Sequence, residues 1–86
     1  PAPMEDIIDT CPIVSHAVVI GDGKPFISAL IELDSDMTRS WLSQQGLDAD
    51  MSMKQVAEND AVRAFVQQYV EKANANVSRT KIRDSR

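Results

Sequence analysis

The chain has 86 residues, which is enough for one small domain and too few for two hydrophobic cores. Apolar residues make up 43% of the sequence, a share that is ordinary for a folded domain and too high for a disordered one. The net charge of −4 argues against nucleic acid as the main partner, and no apolar run approaches the roughly 20 residues of a membrane span. We therefore expect residues 1–86 to form a single domain without a transmembrane segment.

A short amphipathic helix should open the chain. Met4, Ile7, Ile8 and Cys11 recur at helical spacing, and Pro12 ends the segment. Cys11 is the only cysteine, so it cannot form an internal disulfide, and its place on the apolar stripe favours a buried, inert thiol. This cysteine usage fits a reducing cytoplasm best.

A β-hairpin should follow this helix. Two apolar runs that alternate with period two flank residues 21–25 (GDGKP), the pattern of a tight turn between strands. We predict strands at residues 15–20 and 26–33, with His16 and Val18 on one face of the first strand. Both faces of the second strand are mostly apolar near its centre, so we expect helices to cover much of the sheet.

Three further helices should come after the hairpin. Residues 34–36 (DSD) offer several N-caps for the first, and Gly46 fits its C-terminal end. Ser52 and Gln55 have the spacing of a capping box for a short second helix. Asn59 or Asp60 should open the third and longest helix. Its core-facing stripe repeats every three or four residues and comprises Val62, Phe65, Val66, Tyr69, Val70, Ala73 and Val77.

This order of elements predicts an α+β fold: a small two- or three-stranded sheet with a β-hairpin, packed against amphipathic helices. Two strands alone are marginally stable, so a third should exist in the intact fold.

The sequence does not assemble a self-contained active site. His16 is the only histidine and lies mid-strand between apolar residues, so a structural or surface role is favoured over a catalytic one. One histidine and one cysteine cannot form a zinc site, and Asp34 and Asp36 lack the glycine and glutamate that would complete a calcium loop. Residues 21–24 (GDGK) lack the spacing of a phosphate-binding loop. We expect no catalytic residue and no metal site in this chain.

Three stretches together resemble a known family. They are residues 1–9, residues 11–34 with VIGDGKPFISALI near their centre, and residues 73–83 with the run ANANVSR. Their order and spacing are similar to the small C-terminal domain of AMP-forming acyl-CoA synthetases, the long-chain fatty-acid type in particular. The resemblance implies that residues 1–86 are the core of that domain, truncated at both ends. Its partner would be a large N-terminal adenylation domain of the same chain.

The resemblance also implies a reaction in two steps. A fatty acid and ATP form an acyl-adenylate and pyrophosphate, and the CoA thiol then displaces AMP, while the small domain rotates between the steps. ATP, CoA and Mg²⁺ would thus serve the intact enzyme, and none is expected to bind the fragment. The family's adenylation lysine lies in a glycine-rich segment, a context that Lys81 lacks. We therefore expect the chain alone to be inactive.

Basic residues are the candidates for a residual role. In related enzymes, basic side chains of the small domain lie near the nucleotide end of CoA, which makes Lys24, Lys72 and Arg79 candidates here, with surface solvation as the alternative for each. Residues 78–86 hold four basic residues and one aspartate, a local charge of +3, so the first 77 residues carry −7. This cluster is either a solvated tail or a strip that meets an acidic surface or a nucleotide phosphate.

Two other interpretations stay open. One is an acyl-AMP ligase of the same superfamily, and the other is a free-standing α+β regulatory or interaction module. The strand after the longest helix looks cut or barely begun, so we expect an exposed sheet edge through which the fragment self-associates. The intact protein is expected in the cytoplasm, with peripheral attachment to a membrane as a variant of that location.

Overall fold

Four helices and three strands make up the described part of the chain. The computed structural model describes residues 3–21 and 27–83. The elements are α1 (Met4–Asp9), β1 (Val14–Ile20), β2 (Ser28–Asp34), α2 (Ser35–Gln44), α3 (Met53–Glu58), α4 (Asp60–Lys72) and β3 (Asn76–Arg83). The strands form one mixed sheet in the order β1–β2–β3, with β1 antiparallel and β3 parallel to β2. The predicted α+β fold is confirmed.

The pairing of β1 with β2 confirms the hairpin. Val14 is opposite Leu33, and the register shifts between Val14 and His16, as in a β-bulge. The shift lets Val14 and Ala17 both be buried, although a regular strand would place them on opposite faces. Residues 22–26, which contain most of the predicted turn, lie outside the described residues.

Side-chain caps begin the three later helices, as the sequence predicts. Asp34 Oδ1 accepts a hydrogen bond of 2.8 Å from the backbone N–H of Met37 at the start of α2. Ser52 and Gln55 form a complete capping box on α3, and Asn59 accepts from two backbone N–H groups at the start of α4. Each cap satisfies a donor that the helix itself cannot, which is worth about 1 kcal/mol.

Left-handed residues end α2 and α4. Gly46, with φ of 75°, follows α2 at the predicted place, and Asn74, with φ of 57°, follows α4. The backbone N–H of Ala75 donates to the carbonyl of Val70 at 3.1 Å, which closes the end of α4 as in a Schellman motif. The prediction that the stripe of this helix extends to Val77 is therefore wrong. Val77 belongs to β3 instead.

β3 is a full strand, which corrects the expectation that it is cut or barely begun. It has eight residues and pairs with β2 from Asn76, opposite Ser28, to Arg83, opposite Asp34. The chain thus covers the edge of β2 with its own third strand. The border of the sheet on this side is therefore the outer edge of β3, and self-association through an exposed sheet edge stays a prediction.

The helices cover only one face of the sheet. The inward side chains of β1 and β2 share one hydrophobic core with α1 and the later helices. The most deeply buried members of this core include Ile8, Ile13, Ala17, Ile31, Leu33, Leu42, Val56, Val62 and Val70. The outward side chains of β1 remain exposed or half-buried, so the expectation that helices cover much of the sheet holds for one face alone.

Candidate functional site

The three basic residues predicted near CoA belong to different parts of the fold. Lys24 lies outside the described residues. Lys72 is exposed at the last position of α4, in the helix layer. Arg79 belongs to β3, where its backbone is opposite Leu30 of β2. Among the described residues of this set, Lys72 contacts a neighbouring aromatic ring.

An aromatic cluster between α2 and α4 positions Lys72. Trp41 stacks on Phe65 with ring centroids 4.7 Å apart, and Phe65 meets Tyr69 edge to face at 5.6 Å. The Nζ atom of Lys72 lies 4.9 Å from the centroid of the Tyr69 ring. This cation–π contact is worth about 0.5–1 kcal/mol at an exposed site, and the charge also stabilises the carbonyl end of α4. Because Lys72 is exposed, its ammonium can still contact an anionic ligand.

The side of the sheet without helices carries a second group of polar residues. His16 of β1 is opposite Glu32 of β2, and Glu32 is in turn opposite Lys81 of β3. Val18 and Leu30 are likewise opposite each other. We call the surface formed by His16, Val18, Ile20, Leu30, Glu32 and Lys81 the outer sheet face.

A groove of about 320 Å³ lies on the outer sheet face, lined by His16, Val18, Leu30, Glu32 and Lys81 together with Ile31. The sequence prediction missed this grouping because Lys81 joins it only through β3. The period-two alternation of β1 does predict from the sequence that His16 and Val18 lie on one face of the strand. The groove brings the acidic side chain of Glu32 and the basic side chain of Lys81 together beside apolar side chains.

Two carboxylates of α1 cover the outer edge of β1. Glu5 Oε2 accepts a hydrogen bond of 3.1 Å from the backbone N–H of Val19, and the Asp9 carboxylate is attracted by the backbone N–H of Ala17. One helical turn and two strand residues span similar lengths, about 5–7 Å, so the two pairs match. Burial raises the pKa of the Asp9 carboxyl above its ordinary value, against the opposing attraction of His16.

The described residues offer little for covalent or metal chemistry. Cys11 is buried, as predicted, and burial raises the pKa of its thiol, which disfavours the nucleophilic thiolate. Within residues 3–21 and 27–83, no group of three or more His, Cys, Asp or Glu side chains could hold a metal ion. None of the helices in the same ranges is long and apolar enough to cross a membrane.

Comparisons with known proteins agree with the resemblance seen in the sequence. Residues 1–83 match the family model described as the AMP-binding enzyme C-terminal domain. The chain is 37% identical over 78 residues to the long-chain-fatty-acid–CoA ligase FadD15 of Mycobacterium tuberculosis. The aligned region is 91% of this chain and 13% of the ligase. It is 36% identical over 80 residues to the putative fatty-acid–CoA ligase fadD11 of the same species, which covers 92% of this chain and 14% of that protein. No solved structure matches the chain.

Proposed function

Because the chain belongs to the AMP-binding enzyme C-terminal domain family, we propose that it is the mobile C-terminal domain of a long-chain fatty-acid–CoA ligase. The observation that carries the proposal is the match of residues 1–83 to one family whose similar relatives here are named fatty-acid–CoA ligases. The chain spans only 13% of FadD15. The adenylation site is accordingly proposed to lie in a large N-terminal part of the whole protein.

The proposed reaction has two group transfers. A carboxylate oxygen of the fatty acid attacks the α-phosphorus of ATP, and the bond to pyrophosphate breaks. The CoA thiolate then attacks the acyl carbonyl carbon to form the thioester, and AMP leaves with the bonding electron pair. Mg²⁺ would accompany ATP in the N-terminal part. The role of this chain is to rotate between the two steps and so complete a different site for each.

The architecture supports a role as a moving body. Its core joins all three strands to the helices, so the domain can move as one unit. The thiol is buried and His16 is the only histidine, which supports the expectation that the chain makes no acyl-CoA alone. Lys24, Lys72 and Arg79 are proposed to meet the phosphates of CoA in the second step. A cytoplasmic location, with or without peripheral membrane attachment, belongs to the same proposal.

The test compares three proteins: the full-length protein, the same protein without residues 1–86, and the 86-residue chain alone. Each receives ATP, Mg²⁺, a long-chain fatty acid and CoA, and mass spectrometry follows AMP, acyl-adenylate and acyl-CoA. We expect the full-length protein to produce acyl-CoA and AMP in equal amounts. Removal of residues 1–86 should lower acyl-CoA formation at least about 100-fold, because the reacting groups lose their alignment.

The other outcomes separate the alternatives. Acyl-adenylate without acyl-CoA would identify an acyl-AMP ligase. No AMP formation with any fatty acid would contradict the ligase proposal, and acyl-CoA produced by the 86-residue chain alone would contradict the role of a dependent domain.

A further inference from the structure

We propose that Met53 is a site of reversible oxidation at which the fold stabilises the sulfoxide. Met53 is the first residue of α3, and its half-buried thioether lies beside two hydrogen-bond donors of α2. Arg39 Nη2 is 3.6 Å from the Met53 sulfur, and Ser35 Oγ is 4.0 Å from it. A thioether is a weak acceptor and makes poor use of two such donors. The oxygen of a sulfoxide would accept from both.

The two donors are held in place before any oxygen arrives. Ser35 is 4% exposed, so its hydroxyl has little contact with water. The guanidinium of Arg39 is fixed by the backbone carbonyls of Ala49 and Met51, the second at 3.1 Å. An arginine keeps its charge in proteins, and hydrogen bonds from a charged donor are roughly twice as strong as neutral ones. Little side-chain entropy is therefore lost when the pair binds a sulfoxide oxygen.

The oxidant is a peroxide. A lone pair of the Met53 sulfur attacks one oxygen of hydrogen peroxide, the O–O bond breaks, and the departing hydroxide takes the remaining proton and leaves as water. The sulfur loses two electrons and the peroxide gains them. A thiol-dependent methionine sulfoxide reductase reverses the change, as the oxygen leaves as water and two thiols form a disulfide. The neighbours Ser52 and Lys54 are exposed, so a molecule as small as peroxide can reach the sulfur.

The direction of the effect distinguishes this site from ordinary oxidative damage. A methionine sulfoxide usually disrupts the packing around it, because a polar group replaces an apolar one. Here Arg39 already ties residues 45–52, which join α2 to α3, to the side of α2. An oxygen on Met53 would give the same guanidinium a third oxygen acceptor, at the start of α3. We therefore expect oxidation to fasten the connection between these helices more tightly.

The first test measures hydrogen exchange in the full-length protein before and after treatment with hydrogen peroxide. Peptide mass spectrometry gives the extent of oxidation at Met53 and at Met37, which is 50% exposed and serves as the reference for access. We expect Met53 to be converted more slowly than Met37, but completely. Amides of residues 45–55 should then exchange about tenfold more slowly, the effect of one added charge-assisted hydrogen bond on local opening. The reductase with dithiothreitol should restore the original rate.

Three variants of the full-length protein separate Met53 from the other methionines. Met53→Gln has a carbonyl oxygen at the place in the side chain where the sulfoxide has its own, so it should slow the exchange of residues 45–55 without peroxide. Met53→Leu has no acceptor and cannot be oxidised, so peroxide should leave its exchange rate unchanged. Ser35→Ala removes one of the two donors and should reduce the slowing that oxidation causes.

Four results would overturn the proposal. The first is a Met53 that stays reduced in the folded protein while Met37 is fully converted, and the second is a sulfoxide that the reductase does not remove. The third is exchange of residues 45–55 that is unchanged or faster once Met53 is oxidised, and the fourth is the same slowing in peroxide-treated Met53→Leu. None of these measurements depends on acyl-CoA formation, so the proposed function and the oxidation site are tested separately.

Discussion

Lys72 combines a structural contact with an exposed charge. Its ammonium lies over the Tyr69 ring at the end of α4, and the side chain remains exposed to solvent. The ring restricts where the charge can be, so less side-chain entropy is lost when an anion binds there. A phosphate of CoA is the ligand that the proposed function supplies. That contact would contribute only to the second step of the reaction.

Lys72→Met in the full-length protein should therefore raise the KM for CoA about tenfold, as for the loss of one charge-assisted hydrogen bond. Fatty-acid-dependent exchange of pyrophosphate into ATP should keep the wild-type rate, because CoA takes no part in it. Lys72→Arg retains the charge and the contact with the ring, and Lys54→Met removes an exposed lysine from α3 as a control. An unchanged KM for CoA in Lys72→Met would leave this residue with its structural role alone.

At the scale of elements, α1 acts as a cover for the edge of β1. The Glu5 carboxylate accepts the N–H of Val19, and the Asp9 carboxylate attracts that of Ala17, so both occupy N–H groups that an added strand would otherwise use. β3 covers the opposite edge of β2. The border of the sheet on that side is then the outer edge of β3.

The position of Asp9 beside β1 lowers the stability of the fold by an amount that depends on pH. Burial raises the pKa of Asp9 above its ordinary value of 3.8, so the folded state binds more protons than the unfolded state between the two pKa values. Stability therefore falls as the pH rises through that interval, and the loss is complete above the folded pKa. Asp9→Asn retains an acceptor for the Ala17 N–H but cannot ionise. Its free energy of unfolding relative to the wild type should increase as the pH rises from below 3.8 to 7.

Urea unfolding at a series of pH values measures this difference. Asp50→Asn, which removes an exposed carboxylate outside α1, controls for the loss of one negative charge. A difference between Asp9→Asn and the wild type that stays constant with pH would contradict the linkage.

The sequence predicted how helices begin better than how they end. The caps at Asp34, Ser52 and Asn59 were found because each depends on side chains within three residues of the helix start. The end of α4 was missed because asparagine in the left-handed region is a weaker signal than glycine. Asn74 adopts that conformation, which turns the chain back toward the sheet, so Val77 belongs to the strand that begins at Asn76 instead of prolonging a helix.

At the scale of the whole molecule, β3 determines whether the second edge of β2 is paired. Without β3, the backbone groups of Ser28–Asp34 that face it would have no hydrogen-bond partner in the sheet. The helices α3 and α4 would also lose the strand against which they pack. The order β1–β2–β3 also makes β2 the central strand, where Ala29, Ile31 and Leu33 are all buried.

A chain that ends at residue 75 should therefore self-associate through β2 more strongly than the 86-residue chain does at the same concentration. A chain that ends at residue 83 retains β3 and serves as the control for shortening. Sedimentation velocity over a range of concentrations distinguishes these states. A monomeric chain ending at residue 75, or an 86-residue chain that associates equally, would contradict the importance of β3.

The sequence by itself determined the class of fold, the hairpin, the helix caps and the family, because each depends on neighbouring residues or on motifs in a fixed order. Only the tertiary structure decided that β3 lies beside β2 and that one face of the sheet stays open. Both depend on contacts between segments more than 40 residues apart, such as Glu32 with Lys81, which no local pattern records. The row of His16, Glu32 and Lys81 exists only because those contacts place three distant residues on one surface.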